Sequence, residues 1–226
     1  INEVELFFNF LKDNKIKLLL IAGKVKKPNF NNIKTDNFGK NLISKILKSQ
    51  IFSDDFILKT IVKKIEKIAN VKVIELTNIA KNLMAQKTDI AITQPTDDDL
   101  KIIKKGFDVL KYLSKIDFAQ SIVMSNLGLL GIEGPEGTNS LIERCFSYFN
   151  QTDNCDDNKV RRILIKNAKL NQSKKADIPV IGLETVDLIV KYNYHGIAIE
   201  SGNVIILNKY KVIEKMNLHN KFLFIK

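Results

Sequence analysis

Short apolar runs alternate with helical patterns along nearly the whole chain, and that alternation limits the fold more than any other feature. Residues 16–22 form an apolar run that ends at Gly23, as a buried strand does. Before it, residues 4–14 carry Leu6, Phe7, Phe10 and Leu11 as the expected inner face of a helix. Strand-like segments follow at 71–75, 120–125, 129–133, 161–165, 196–200, 204–207 and 222–225. Helical ones lie at 38–48, 54–68, 97–113, 140–149, 183–192 and 209–216. The pair 120–125 and 129–133, around Asn126-Leu127-Gly128, reads as a β-hairpin. Thr96 and Asp99 have capping-box spacing, as do Ser140 and Glu143, and Ser53 is an N-cap candidate for the helix opened by Asp54-Asp55. Strands alternating with helices predict an α/β fold of two small domains. The expected division is an N-terminal α/β domain over 1–95, a linker helix over 96–114 and a C-terminal α/β domain over 115–226.

A chain of 226 residues with 45% hydrophobic side chains is long and apolar enough to bury a core. Its net charge of +11 invites a nucleic-acid reading, but Arg144, Arg161 and Arg162 are its only arginines. Base and phosphate recognition favours the bidentate guanidinium over lysine. The charge suits small polyanions and acidic membrane surfaces better. No apolar run approaches the roughly 20 residues that span a bilayer. Cys145 and Cys155 are ten residues apart with no metal-ligand spacing, which argues against zinc and for a reducing, cytoplasmic setting. Cys145 falls in a helical pattern as a core residue. His195 and His219 read as structural and solvated, not catalytic.

The chemistry concentrates in carboxylates and lysines. In residues 166–182, Lys166, Lys169, Gln172 and Lys175 lead without periodicity to Asp177, and Ile178-Pro179 stiffens the loop that carries it. Cations hold an anionic phosphate ester, and one carboxylate orients water or binds Mg²⁺ or another divalent cation. A solvated basic loop is the plain alternative. Gly134-Pro135-Glu136-Gly137 is a sharp turn before a helix whose first N–H groups, beside Gly137 and the Thr138 hydroxyl, suit a phosphate. Glu133 and Glu136 flank that turn and are candidate oxygen ligands, with Asp177, for the metal. Gly23, Lys24 and Lys27 leave the end of an apolar strand, where ligands bind in α/β sheets. Asp54-Asp55 and Asp97–Asp99 are explained by the electrostatics of helix starts.

The run Lys-x-x-Lys-x-x-Gln-x-x-Lys-x-Asp-Ile-Pro-x-Ile-Gly resembles the C-terminal signature of the LpxI-type UDP-2,3-diacylglucosamine hydrolases of lipid A synthesis. Five further segments resemble that family in the same order. They are 22–28 (Ala-Gly-Lys-Val-Lys-Lys-Pro), Asp54-Asp55, 116–120 (Ile-Asp-Phe-Ala-Gln), 132–139 (Ile-Glu-Gly-Pro-Glu-Gly-Thr-Asn) and 195–202 (His-Gly-Ile-Ala-Ile-Glu-Ser-Gly). The resemblance implies hydrolysis of the diphosphate bond of UDP-2,3-diacylglucosamine to UMP and 2,3-diacylglucosamine 1-phosphate. It also implies Asp177 as the essential acid and adds Gln120 to the substrate-binding set. An amphiphilic UDP-sugar lipid implies transient contact with the inner leaflet, peripheral to the membrane. Ala168 and Leu170 stand where the family usually has prolines, and Asn139 where it has Asp. The front of the family's first domain, with its glycine-rich turn, is expected to lie before Ile1. A non-catalytic binder of nucleotide-sugar or lipid is the alternative, with a nucleic-acid-binding protein behind it. Self-association into a homo-oligomer is left open.

Overall fold

A computed structural model describes residues 3–23, 34–48, 54–150, 159–170, 174–175 and 177–226, without the side chains of 45, 47, 54, 55 and 148–150. The chain forms two compact units, Ile1–Lys81 with Gln172–Asp177, and Asn82–Asn171 with Ile178–Lys226. Both mix helix and strand, so the protein is α/β.

The first unit contains α1 (Val4–Asp13), β1 (Leu18–Leu20), α2 (Asn37–Lys48), α3 (Asp54–Ala69), β2 (Lys72–Ile74) and α4 (Leu76–Ile79). β1 and β2 pair in parallel with Leu19 opposite Val73. The core gathers Phe8 and Leu11 from α1, Val62, Ile65 and Ala69 from α3, and Val71 and Val73 around β2. Two expectations change here. The face that α1 buries runs through Phe8 and Leu11, with Val4 packed beside them, while Leu6 and Phe10 are about three-fifths exposed. Val4, Phe8 and Leu11 are spaced i, i+4, i+7, which places them on one stripe. The apolar run 16–22 yields only a three-residue strand, with Leu18 58% exposed. A two-stranded sheet has too little area to enclose every side chain of its strands.

The second unit adds α5 (Asp97–Lys115), β3 (Ser121–Ser125), β4 (Gly128–Ile132), α6 (Thr138–Asn150), β5 (Ile163–Lys166), β6 (Val180–Ile181), α7 (Leu183–Lys191), β7 (Gly196–Ile199), β8 (Ile205–Ile206), α8 (Lys209–Leu218) and β9 (Phe222–Ile225). Its sheet has the order β4-β3-β5-β7-β9. β3 and β4 form the expected hairpin, β3 and β5 are antiparallel, and β5, β7 and β9 are parallel. β6 and β8 pair in parallel in a separate two-stranded sheet. Alternate strand residues enter two cores. Ile122, Met124, Ile163, Ile165 and Ala198 meet Ile103, Phe107 and Leu110 of α5. Val123, Leu164, Ile197, Ile199 and Leu223 meet Leu141, Ile142, Val186, Ile189, Val212 and Met216 of α6, α7 and α8. This is a helix–sheet–helix sandwich, and the period of two along each strand feeds both layers.

The helix expected as a linker at 96–114 therefore packs on β3 and β5 of the second unit, and the units divide at Lys81 and Asn82. Its apolar stripe has a sheet to cover, which an exposed linker would leave bare. Thr96 caps it. The Thr96 Oγ1 accepts from the Asp99 N–H, and Asp99 Oδ2 accepts from the Thr96 N–H at 3.0 Å. Cys145 is buried, and burial pushes its thiol up to about 11. Cys155 and Ser53 lie outside the described residues.

Candidate active site

Gly137 turns the chain into α6 with a φ of +85°, a left-handed conformation that glycine adopts without a Cβ penalty. The helix accordingly starts at Thr138, two residues before the expected cap at Ser140. The Gly137 carbonyl accepts from the Leu141 N–H, which closes the first turn. The N–H groups of that turn have no intrahelical acceptor. This start stands beside the edge where β3 begins and β5 ends. Ser121 is register partner of Lys166 across β3 and β5. The Asn167 N–H donates to the Gln120 carbonyl.

A polar chain runs across these elements. Lys166 Nζ donates to Thr138 Oγ1 at 2.5 Å, and Thr138 Oγ1 donates to Glu133 Oε1 at 2.7 Å. Ser121 Oγ lies 3.3 Å from the same hydroxyl. Ser121 is fully buried and Lys166 is 4% exposed. A buried ammonium needs hydrogen-bonding oxygens or a charge partner, and this corner supplies them. Glu133 Oε2, in contrast, is buried and meets no hydrogen-bond partner among the described residues. That oxygen is open to a water or a cation.

Lys169 Nζ reaches Asp117 Oδ1 at 2.9 Å. On β7's side of Lys166, Glu200 follows Ile199, and its Oε2 accepts from Asn167 Nδ2 at 2.7 Å and from Asn203 Nδ2 at 2.6 Å. The parallel register places Lys166 beside Ile199, so Asn167 and Glu200 leave their strands side by side. Polar groups thus collect at the carboxyl ends of β5 and β7, where open parallel sheets bind ligands.

The remaining described candidate side chains have partners of their own. Glu136 accepts from Arg144 Nη2 at 2.9 Å, and its own backbone N–H, then Arg144, hold its carboxyl below the usual range. Glu133 and Glu136 thus turn to different partners. In the first unit, Lys175 Nζ donates to Glu66 Oε1 at 2.7 Å, and that oxygen also accepts from the Val73 N–H. The Lys175 bond, opposed by burial and helped by Val73, holds Glu66 below its ordinary value. Asp177 is half-buried in the segment grouped with this unit. Gly23 has a φ of +113° at the end of β1's run. Lys24, Lys27 and Gln172 lie outside the described residues. No three of His, Cys, Asp and Glu come together as metal ligands among the described residues. Burial, then the nearby Arg161, keeps His195 below its usual value and favours the neutral ring.

Sequence reasoning did not assign Ser121, Asp117, Asn167 and Glu200 to the site. Asp117 and Glu200 stand in two of the quoted segments, and Ser121 follows Gln120. The link between Asn167 and Glu200 becomes visible only with the pairing of β5 and β7.

A glycine-turned helix start beside a buried lysine at strand ends, in an α/β fold, is an arrangement whose donors suit an anion. Comparison carries this further. The family model of the LpxI N-terminal domain matches residues 1–83, and that of the LpxI C-terminal domain matches residues 86–224. The chain belongs to the LpxI family. It is 21% identical over 213 residues to the UDP-2,3-diacylglucosamine pyrophosphatase LpxI of Caulobacter vibrioides, across 94% of this chain and 75% of that protein.

Proposed function

We propose that this protein hydrolyses the diphosphate bond of UDP-2,3-diacylglucosamine, releasing UMP and 2,3-diacylglucosamine 1-phosphate in lipid A synthesis. The observation that carries the reading is the chain from Lys166 through Thr138 to Glu133 at the carboxyl ends of parallel strands, within a member of the LpxI family. Lys166 and Lys169 neutralise phosphate oxygens, the first N–H groups of α6 donate to them, the Thr138 hydroxyl turns from Glu133 to a phosphate oxygen as substrate arrives, and Gln120 and Gly137 shape the approach. Charge that develops on the leaving phosphate is then met by donors already in place. Asp177 is assigned the orientation of the attacking water. Lys24, Lys27, Gln172 and Lys175 are assigned to the substrate by the sequence pattern alone.

A divalent cation such as Mg²⁺ belongs to the proposal. Glu133, whose Oε2 has no hydrogen-bond partner among the described residues, is the donor there that fits one; Mg²⁺ takes most of its ligands from phosphate oxygens and water. When bound it would neutralise diphosphate charge. The diacyl substrate places the reaction at the cytoplasmic membrane surface. No described helix is long and apolar enough to cross a membrane.

The test is UMP release from UDP-2,3-diacylglucosamine with Mg²⁺, with Asp177→Ala, Lys166→Met and EDTA alongside. Release that falls at least about a hundredfold in each supports the reading. Undiminished release with Asp177→Ala removes its catalytic assignment. Tight substrate binding without release would favour a non-catalytic binder.

A further inference from the structure

The exposed face of α5 is unusual in what it leaves in water. Ile103, Phe107 and Leu110 face the sheet, while Lys104, Lys105, Lys111 and Lys115 are all exposed on the opposite side with Asp108 among them. Lys101, on the same face, pairs with Asp98. Where such a face normally stays polar to its end, this one finishes in large apolar groups. Tyr112 is 70% exposed, Ile116 70% and Phe118 64%. Residues 112 and 116 are one helical turn apart and so share a face. Lys115 Nζ sits 5.1 Å from the centre of the Tyr112 ring. Three bulky side chains exposed within seven residues, two of them on one helical face, give this end of the helix an apolar character that its earlier turns lack.

We propose that the carboxyl-terminal end of α5, with the 116–118 turn, is the surface by which the protein docks on an anionic lipid bilayer. Tyr112, Ile116 and Phe118 enter the headgroup boundary, and the lysines above them meet anionic headgroups. Charge selects this occupant over a second copy. Two such faces laid together would oppose lysine to lysine. The comparison with α1 sharpens the point. Leu6 and Phe10 are similarly exposed there, but around them Glu3, Glu5 and Asp13 offset Lys12, Lys15 and Lys17, so that face has no excess positive charge to draw it to an anionic surface. The patch also abuts the candidate site. Asp117, between Ile116 and Phe118, receives Lys169, so a lipid entering beside these side chains arrives next to a phosphate-binding lysine. The inference rests on the proposed function for that last step. Vesicle binding is measured without substrate, so the two readings fail separately.

The experiment is flotation of the full chain with vesicles of phosphatidylglycerol and phosphatidylcholine, against phosphatidylcholine alone. The combined variant Tyr112→Ser, Ile116→Ser, Phe118→Ser leaves net charge untouched, and Leu6→Ser, Phe10→Ser serves as the control at α1. Circular dichroism melting verifies that each variant folds. We expect binding that needs the anionic lipid, falls roughly tenfold or more in the α5 variant and is unchanged in the α1 control. Full binding by the α5 variant would mean attraction by net charge alone and would overturn the proposal. So would absent binding by the native chain, or a change of sedimentation from oligomer to monomer in the α5 variant. A Lys104→Glu, Lys105→Glu, Lys111→Glu variant provides a second reading if the serine variant misfolds, and undiminished binding there overturns the proposal equally.

Discussion

The two units use the same kinds of element to very different depth. In the second, every residue of β3, β5 and β7 is buried, because helices cover the sheet on both faces. In the first, β1 has no buried residue and β2 has only Val73. The difference teaches where rigidity comes from. A strand sealed on both faces exchanges its amides slowly, and a groove at its end inherits that fixity. The lysine–threonine–glutamate chain is attached to such strands. Lys175 is attached to the thinner unit. Hydrogen exchange read segment by segment checks the comparison directly. Amides of β3, β5 and β7 should be the slowest, and those of β1 and β2 faster. Equal protection would erase the distinction.

The largest effect on stability should come from the sheet itself. A Cβ added at Gly196 would lie 2.4 Å from the Phe222 carbonyl oxygen on the neighbouring strand β9. Backbone cannot move aside as a flexible side chain does, so Gly196→Val should cost about 3 kcal/mol or more. Urea unfolding measures it, and a loss under about 1 kcal/mol would show that β7 and β9 separate easily.

A smaller effect is expected where the second unit ties α5 to the start of β5. Arg161 Nε and Nη2 donate to Asp99 at 3.0 and 2.7 Å, and Asp99 is 2% exposed. Asp99→Ala should cost about 2–3 kcal/mol, since it removes a charge-assisted fork and the helix's capping box. The pH dependence follows. Burial works to raise the Asp99 carboxyl, but the bonds from Arg161 and Thr96 outweigh it and leave the group lowered. Its contribution is therefore complete above the unfolded value of about 3.9 and is lost as pH falls through the folded one. Unfolding followed from pH 6 to pH 2 should show a steeper loss in the native chain than in Asp99→Asn.

Much of this architecture was legible in the sequence because helix and strand periods differ. The hairpin around Asn126-Leu127-Gly128, the Thr96 cap and the core position of Cys145 follow from spacing and local chemistry. Depth of burial was harder to read. Leu6, Phe7 and Phe10 are as apolar as Phe8, and the packing of α1 against α2 and α3 decides which stripe is enclosed. The same limit held at the candidate site. Lysines, Glu133 and Thr138 stand out from their loops as candidates for phosphate chemistry, whereas Ser121 and Glu200 join them only through strand register, which brings together residues far apart in the chain.

Tyr194 offers a milder probe of the second unit. Its ring is fully buried and its hydroxyl donates to the Ile142 carbonyl on α6 at 2.9 Å. Tyr194→Phe keeps the ring and removes that bond, so about 1 kcal/mol is the expected loss. A loss several times larger would indicate that the hydroxyl holds α6, and Thr138 with it, in place; UMP release would then fall in parallel.

The smallest effect on stability is expected in the first unit, at Lys175. Its partner Glu66 and the lysine itself are each about one-third exposed. Such a pair in contact with solvent contributes little, so Lys175→Ala should change unfolding free energy by less than about 1 kcal/mol. The same variant separates two roles for this lysine. If Lys175 serves only to tie its segment to α3, Lys175→Ala and Glu66→Gln should alter UMP release alike, because either change removes the same ion pair. If Lys175 also receives substrate phosphate, Lys175→Ala should raise KM while Glu66→Gln leaves the ammonium in place and lowers KM or leaves it unchanged. The sign of the Glu66→Gln effect decides, since a lysine released from a carboxylate is a better ligand for an anion.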